Sequence, residues 1–171
     1  MRRVRLSVAM SLDGYIAGPN GESDWIVMDP DIDFRALFSA FDTVLMGRKS
    51  YEAVLKQGSG GGMPGMQAYV FSRTLRQANY PGVIVSDKPA ETLAELKAKP
   101  GKDIWLFGGG LLFRSFLELG LVDGVEVAII PVLLGGGLPL LPQPASLAKL
   151  KLVKHKIYQK TGTVLLEYNP L

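Results

Sequence analysis

The stretch from residue 104 to residue 117 constrains the fold of this chain more than any other part of the sequence. Residues 104–107 form a wholly apolar run that predicts a buried strand, glycines follow at 108–110, and apolar residues recur at helical spacing over 112–117. A strand, a glycine turn and a helix in succession aim free backbone N–H groups at an anion. The alternative is a tight turn in which glycine is needed only for its backbone conformation. The spacing is not the GxGxxG dinucleotide fingerprint, because bulky residues follow the glycines directly.

Composition narrows the chemistry that is available. The chain of 171 residues is 47% hydrophobic and 20% charged, which predicts one globular domain over residues 1–171. It has no cysteine, so disulfides, thiolate metal ligands and a cysteine nucleophile are excluded. A single histidine, His155, argues against a histidine-based zinc site or a Ser-His-Asp triad, and we expect it to be structural and no metal to be bound. An enzyme built from this chain would depend on carboxylates or on a bound cofactor.

Charge and hydropathy patterning bear on partners and location. The net charge of +3 is too small to indicate nucleic-acid binding, and lysines that alternate along a terminal strand are interpreted as a solvated face. The first apolar run is interrupted by Ser7, Ser11 and Asp13, so it is too short for a secretory signal. Residues 125–141 contain two prolines and three glycines and do not resemble a membrane span. We therefore predict a cytoplasmic protein without a nucleic-acid or membrane partner.

The hydrophobic pattern predicts an α/β fold. Strands are expected over residues 5–10, 43–46, 69–71, 83–85, 104–107 and 125–132, and crossover helices join several of them. Residues 151–158 and 163–168 alternate and are joined by a short polar turn, which predicts a terminal antiparallel hairpin. The expected architecture is three-layer αβα, with a mixed, mostly parallel sheet of about eight strands.

Three of the expected strands are followed by residues whose side chains or backbone N–H groups suit an anion. These are Gly47, Arg48, Lys49 and Ser50 after the second strand, Ser72 and Arg73 after the third, and Gly108, Gly109 and Gly110 after the fifth. Cations in loops are often only solvated, and that alternative stays open. Ligands of open α/β sheets lie across the carboxyl ends of the strands. Three separated positions predict a long, multiply phosphorylated ligand, such as a dinucleotide with a 2′-phosphate.

A carboxylate is expected near an aromatic wall. Asp29 and Pro30 predict the start of a helix, with Asp29 as the N-cap. Phe34 and Phe38 would then lie on its inner face, and Asp31 would project to the same side. We interpret Asp31 as a candidate active-site carboxylate and Phe34 as a candidate substrate contact. The alternative is that Asp31 only interacts favourably with the helix dipole.

Several motifs resemble known reductases. Residues 45–52 read Leu-Met-Gly-Arg-Lys-Ser-Tyr-Glu and resemble the Met-Gly-Arg-x-Thr/Ser-aromatic-Glu motif of dihydrofolate reductase. Residues 11–17 and 131–137 are more similar to the reductase domain of the bifunctional riboflavin-biosynthesis deaminase–reductase, and the glycine triplet is shared by both families. The resemblance spans roughly residues 4–168 with the motifs in the same order.

The resemblance implies a dihydrofolate reductase-like fold and an NADPH-dependent reductase. The implied cofactor-binding residues are Ala9 and Ile16 beside the nicotinamide, Gly47, Arg48, Lys49 and Ser50 on the phosphate side, Ser72 and Arg73 at the 2′-phosphate, and Gly108, Gly109, Gly110, Leu111 and Leu112 at the pyrophosphate. Trp25 matches a tryptophan in the substrate loop of dihydrofolate reductase, which implies a substrate contact. Counting back from the Gly-Arg motif places the active-site carboxylate at Asp31, or at Asp33 if the loop differs in length.

Departures from both families leave the substrate open. The riboflavin-type reductases usually have a lysine where this chain has Tyr15 and a glutamate where it has Gly124. Dihydrofolate reductase has a threonine that partners its active-site carboxylate, and the corresponding residue here is Ala128. We predict hydride transfer to a pyrimidine- or pterin-type substrate, as in 5-amino-6-(5-phosphoribosylamino)uracil reductases. The alternatives are a dihydrofolate or pteridine reductase and a non-catalytic NADPH-binding module. Single-domain relatives often pair, so a homodimer is expected, with residues 125–134 as a candidate interface.

Overall fold

The structure is a computed structural model that describes residues 1–58, 62–77 and 81–171. Its elements, in chain order, are β1 (Val4–Ser11), β2 (Tyr15–Ala17), α1 (Phe34–Ser39), β3 (Phe41–Gly47), α2 (Arg48–Lys56), β4 (Gln67–Phe71), β5 (Val83–Ser86), α3 (Pro89–Ala98), β6 (Asp103–Gly108), α4 (Gly110–Glu118), β7 (Gly124–Ile130), β8 (Leu138–Pro139), β9 (Leu150–Tyr158) and β10 (Thr163–Pro170). Within these ranges, no helix is long and apolar enough to cross a membrane.

One eight-stranded sheet organises these elements in the order β5-β4-β3-β6-β1-β7-β10-β9. The six strands from β5 to β7 in this order are parallel, whereas β10 runs antiparallel to β7 and β9 antiparallel to β10. The predicted mixed sheet with a terminal antiparallel hairpin is therefore confirmed. Because the six parallel strands point the same way, their carboxyl ends meet at one edge of the sheet, and that edge carries the loops described below.

Strand alternation divides the core between the two faces of the sheet. On the face covered by α3 and α4, here called the α3–α4 face, Leu93, Phe113 and Phe116 pack on Leu6 and Val127. On the opposite face, here called the α1–α2 face, side chains of α1 and α2 pack over β3, β4 and β6; the buried members include Tyr51, Val54, Val70 and Trp105.

The first helix begins later than predicted. Helix α1 starts at Phe34, and its N-cap is Asp33, whose carboxylate accepts a hydrogen bond from the Ala36 backbone N–H at 2.8 Å. Asp29 does not cap the helix, because donors from the β9–β10 turn and the Asp31 backbone N–H bind its carboxylate instead. The prediction that Asp31 shares a helical face with Phe34 is therefore wrong, since Asp31 precedes the helix.

Two further expectations are corrected. Strands β2 and β8, three and two residues long, pair in a separate small sheet and were not predicted, because so few residues show no hydrophobic period. Strand β7 ends before Pro131 and lies between β1 and β10 inside the sheet, with Val125 and Val127 buried. The predicted interface over residues 125–134 cannot form by edge-to-edge pairing of this strand, because an interior strand has no free edge.

Candidate active site

Two helix N-termini lie side by side at the carboxyl edge of the sheet. Helix α2 begins after Gly47 and helix α4 after Gly109, and neither N-cap glycine supplies a side-chain hydrogen bond. A Cβ built on Gly109 would lie 3.4 Å from Ser50 Oγ, and one built on Gly47 would lie 3.8 Å from the Gly108 carbonyl oxygen. Both helices therefore present backbone N–H groups without side-chain caps within the same small region, an arrangement that suits an anion.

The three glycines of the triplet differ in what surrounds them. Gly108 has a positive φ of 122° and open space where a Cβ would be, and the peptide bond between Gly108 and Gly109 is cis. At Gly110 a Cβ would meet the carbonyl oxygens of Pro139 and Leu140 at 2.6 and 2.9 Å. Glycine is thus required at 110 by packing against the end of β8 and the residue that follows it. Only the first two glycines leave room for close approach of a ligand.

The ends of β3 and β4 are joined through Arg48. Its guanidinium donates to Glu52 Oε1 at 2.7 Å and to Thr74 Oγ1 at 2.8 Å. Ser72 Oγ accepts from the backbone N–H groups of Thr74 and Leu75, each at 3.2 Å. These contacts give the loop after β4 a defined shape beside the start of α2.

Arg73 and Lys49 extend from this joined region. Both side chains are exposed, and neither forms an ion pair within the described part of the chain. Ser72 and Arg73 line a depression of about 320 Å³ together with Ser86 and Asp87 at the end of β5. The structure thus brings the predicted cations and hydroxyl groups to the carboxyl ends of the neighbouring strands β3 and β4, and the glycine triplet lies at the end of the next strand, β6.

Asp13, which was not among the predicted site residues, ties the turn after β1 to the loop after β7. Its carboxylate accepts from Ser11 Oγ at 2.7 Å and from the backbone N–H groups of Leu134 and Gly135 at 3.1 and 2.8 Å. The hydrogen bond from Ser11 and those from the two backbone groups hold the pKa of Asp13 below its ordinary value, although desolvation opposes them. The Asp-Gly pair and the second glycine triplet were signals that could have indicated this contact.

The candidate nicotinamide contacts lie beside this turn. Ala9 is in β1, two residues before Ser11, and it pairs with Ala128 of β7. Ile16 is in β2, and both Ala9 and Ile16 are partly exposed. Leu111 is 55% exposed at the start of α4, whereas Leu112 packs against the core of the α3–α4 face.

The loop between β2 and α1 is fastened to the β9–β10 turn. Asp29 is only 1% exposed, and it accepts hydrogen bonds from the Asp31 backbone N–H and from both the backbone N–H and the hydroxyl of Thr161. Burial acts to raise the pKa of Asp29, but these hydrogen bonds and the nearby Lys160 ammonium hold it below its ordinary value. Asp29 is therefore a structural carboxylate of this loop.

Asp31 and Asp33, the two candidate active-site carboxylates, accept hydrogen bonds from different donors. Asp31 is half-exposed and accepts one hydrogen bond from Lys160 Nζ at 2.8 Å, and this hydrogen bond with Asp31 raises the pKa of Lys160. Asp33 caps α1. Each carboxylate accepts one hydrogen bond and retains acceptor capacity for a further donor.

Trp25 and Phe34 lie on either side of these carboxylates along the chain. Trp25 is partly buried and donates its indole N–H to the Glu22 carbonyl oxygen at 3.0 Å. The Phe34 ring stacks on Phe38 with centroids 6.1 Å apart, and Phe38 contacts Trp105 of β6 at 5.3 Å. The expected aromatic wall is present, although Asp31 is bound to the β9–β10 turn. In the described ranges, no group of three or more histidine, aspartate or glutamate side chains could hold a metal ion.

Comparison with known proteins identifies the family. The family model described as the RibD C-terminal domain matches residues 2–165. An uncharacterised protein of Bacillus subtilis, YyaP, is 37% identical over 98% of this chain and 95% of its own length.

Two solved structures share the fold. A riboflavin biosynthesis protein from a Shewanella species has a TM-score of 0.82 at 28% identity, with 100% of this chain and 99% of the other covered. Dihydrofolate reductase of Enterococcus faecalis has a TM-score of 0.70 at 17% identity, over 98% of this chain and 96% of that one, and this likeness concerns the fold alone. The chain therefore belongs to the RibD C-terminal domain family and has a dihydrofolate reductase-like fold.

Proposed function

We propose that this chain is a cytoplasmic, single-domain, NADPH-dependent reductase of the riboflavin-biosynthesis type that acts on a pyrimidine- or pterin-type heterocycle. One observation carries the proposal: the N-termini of α2 and α4, without side-chain caps, adjoin at the carboxyl edge of the sheet, with Arg48 and Arg73 beside them. A dinucleotide with a 2′-phosphate fits the chemistry of these donors, because it offers a pyrophosphate and a separate dianionic group.

The donor set assigns each part of the cofactor to different residues. In this proposal the backbone N–H groups that follow Gly47 and Gly108 bind the pyrophosphate, with Ser50, Leu111 and Leu112 beside it. Arg73 and Ser72 bind the 2′-phosphate at the depression between β4 and β5. Arg48 and Lys49 add positive charge between these positions, and Ala9 and Ile16 orient the nicotinamide at the end of β1.

The chain itself contributes binding, orientation and exclusion of water to the reaction. When bound, NADPH supplies a hydride for a C=N bond or an open-chain sugar carbonyl of the substrate. Trp25 and Phe34 contact the heterocycle in this proposal. Asp31 binds its polar edge or supplies a proton, directly or through a water molecule. Asp33, whose carboxylate caps α1, is the alternative for this role.

The closest alternative substrate is dihydrofolate. Ala128, at the position where dihydrofolate reductase has a threonine, pairs with Ala9 and has no hydroxyl to offer to a carboxylate. This favours an aminopyrimidine over a dihydrofolate substrate. A non-catalytic NADPH-binding module is the other alternative. NADPH oxidation across a panel of ribosylaminopyrimidines and pterins separates the three, since binding without turnover on any of them would leave only the module.

A homodimer is part of the proposal, with the β9–β10 hairpin as its interface. Leu150, Leu152 and Ile157 are 39%, 49% and 53% exposed and share the α3–α4 face, opposite Pro170, Tyr168 and Val164 of β10. The lysines of β9 at 151, 154 and 156 lie on the other face. Two copies could therefore join their apolar hairpin faces without opposing lysines. L152K should yield a monomer by analytical ultracentrifugation if this interface forms; a monomeric wild-type protein would refute it.

A thermal-shift series with NADPH and NADH tests the cofactor assignment. At about 100 times Kd, NADPH should add roughly 2.7 kcal/mol to the free energy of unfolding. NADH lacks the 2′-phosphate and should stabilise the protein less at the same concentration. The absence of a shift with either nucleotide would contradict the proposed function.

A further inference from the structure

On the α1–α2 face, several positions of the central strands β1 and β7 are partly exposed, although such strands are normally covered on both faces. Parallel strands in the middle of a sheet usually have both faces buried. Strands β1 and β7 are central here, and Leu6 and Val127 are buried on the α3–α4 face. On the opposite face α1 and α2 pack over β3, β4 and β6, and neighbouring positions of β1, β7 and β10 remain partly exposed. We call the neighbouring positions Ser7, Ala9, Glu126, Ala128 and Leu165 the open strip; Glu126 is buried and the other four are partly exposed.

Glu126 supplies a negative charge at the floor of the open strip. Only 9% of its side chain is exposed. One carboxylate oxygen accepts the Ser7 hydroxyl at 2.6 Å, and the other accepts a long hydrogen bond of 3.3 Å from Arg5, which is also 3.3 Å from Asp103. A carboxylate has about four lone-pair sites, so acceptor capacity remains on both oxygens.

The carboxylates near Glu126 outnumber the buried positive charge that faces them. Arg5 forms ion pairs with both Glu126 and Asp103, each at 3.3 Å, so one guanidinium is shared by two carboxylates. Glu167 of β10 lies directly opposite Glu126, and like charges in this arrangement destabilise a sheet. Glu167 pairs with Lys154 at 3.5 Å, whose side chain is 67% exposed and compensates little. This part of the sheet therefore carries an excess of negative charge that suits a ligand with N–H donors.

We propose that Glu126, together with Ser7, is the specificity-determining carboxylate of the substrate cleft and binds adjacent N–H donors of a flat heterocycle. The inference rests on the proposed function and specifies its substrate class as a heterocycle whose distal edge carries paired N–H donors. Ala9 and Ala128 form a low floor on which such a ring lies flat. Ser7 and Glu126 lie two residues before Ala9 and Ala128 on the same strands, about 7 Å away. A ring system whose reacting atom lies near Ala9 thus reaches Glu126 with its far edge.

The test uses two probes of equal ring size that differ in their hydrogen-bonding edge. 2,4-Diaminopyrimidine presents N–H donors, whereas uracil presents carbonyl oxygens beside its N–H groups. Each is titrated into the full chain and followed by ligand-observed NMR. The wild-type protein should prefer 2,4-diaminopyrimidine about tenfold or more, because a charge-assisted donor pair binds a carboxylate well. E126Q should abolish that preference, since its amide offers both a donor and an acceptor.

Matched variants separate recognition from structure. E167Q removes the neighbouring charge and should keep the wild-type preference. Equal weakening of both probes in E126Q, loss of selectivity in E167Q, or a wild-type protein without preference would each overturn the inference. If E126Q does not fold, E126D and S7A take its place, and an unchanged preference in both would overturn the inference too.

The measurement of NADPH binding is independent of the measurement of heterocycle preference. NADPH-induced stabilisation is measured on the same variants and should not change in E126Q. A wild-type protein that NADPH does not stabilise would contradict the proposed function, whereas NADPH stabilisation combined with retained selectivity in E126Q would contradict only the assignment of Glu126.

Discussion

The two faces of the sheet differ in how completely they are covered. On the α3–α4 face, side chains from two helices bury the middle strands, and Phe116 has no exposed surface. On the α1–α2 face, the helices cover β3, β4 and β6, while Ser7, Ala9 and Ala128 stay partly exposed on strands just as central. The difference indicates that packing on the α3–α4 face supplies most of the stability. On the α1–α2 face, the partly exposed strand positions lie beside the carboxyl-edge loops, where a ligand could cover them.

The largest expected effect comes from opening a cavity on the closed face. F116A should lower the free energy of unfolding by about 3–5 kcal/mol, because it removes a fully buried aromatic ring. Urea denaturation measures the change. L119A, which truncates a side chain that is 54% exposed on the same stretch, is the matched control and should cost far less. A small loss for F116A would show that this face is not the main source of stability.

The next effect concerns the cofactor edge rather than the core. R73A should weaken NADPH binding by about 1.5–3 kcal/mol, or roughly 10- to 150-fold, because it removes a charge-assisted phosphate contact. Its stability without nucleotide should match the wild type, since Arg73 is exposed and forms no ion pair in the described ranges. Isothermal titration with NADPH and NADH provides the measurement, and R76A is the control. An R73A protein that still prefers NADPH over NADH would refute the 2′-phosphate assignment.

The glycine turn lies between the two regions and can be tested at Gly110. G110A should destabilise the protein by about 1–3 kcal/mol, because the new methyl group would approach the carbonyl oxygens of Pro139, the last residue of β8, and of Leu140. G136A, at a site with open space, should change stability by about 0.5 kcal/mol or less. Thermal unfolding of both variants measures their loss of stability relative to the wild type. Equal effects would mean that β8 does not pack on the turn as described.

The smallest expected effect is a pH dependence that arises at the loop. The folded state holds the pKa of Asp29 below its ordinary value of 3.8, so it favours the ionised carboxylate. The corresponding stability is complete above the unfolded pKa and is lost as the pH falls through the lower folded pKa. Stability measured from about pH 5 down to about pH 2 should therefore decline less steeply in D29N than in the wild type. Identical slopes would contradict the role of Asp29.

Patterns with a local cause could be predicted from the sequence. The apolar run at 104–107 and the alternating hairpin strands predicted their elements because each contains several periods of its own signal. The three strand ends were predicted to meet because carboxyl ends of parallel strands share an edge. The start of α1 was misplaced, because Asp29 and Pro30 satisfy the local rule for a helix start as well as Asp33 does.

The fold class, the strand-end clusters of cations and glycines and the family resemblance could be predicted because they depend on residue type and spacing along the chain. Three contacts became evident only in the folded chain: Asp29 binds Thr161 of the β9–β10 turn, Gly110 is required by packing while Gly108 faces open space, and Ser7 lies beside Glu126. Partners that lie far apart along the chain leave no local period, and their contact is set by strand order and register.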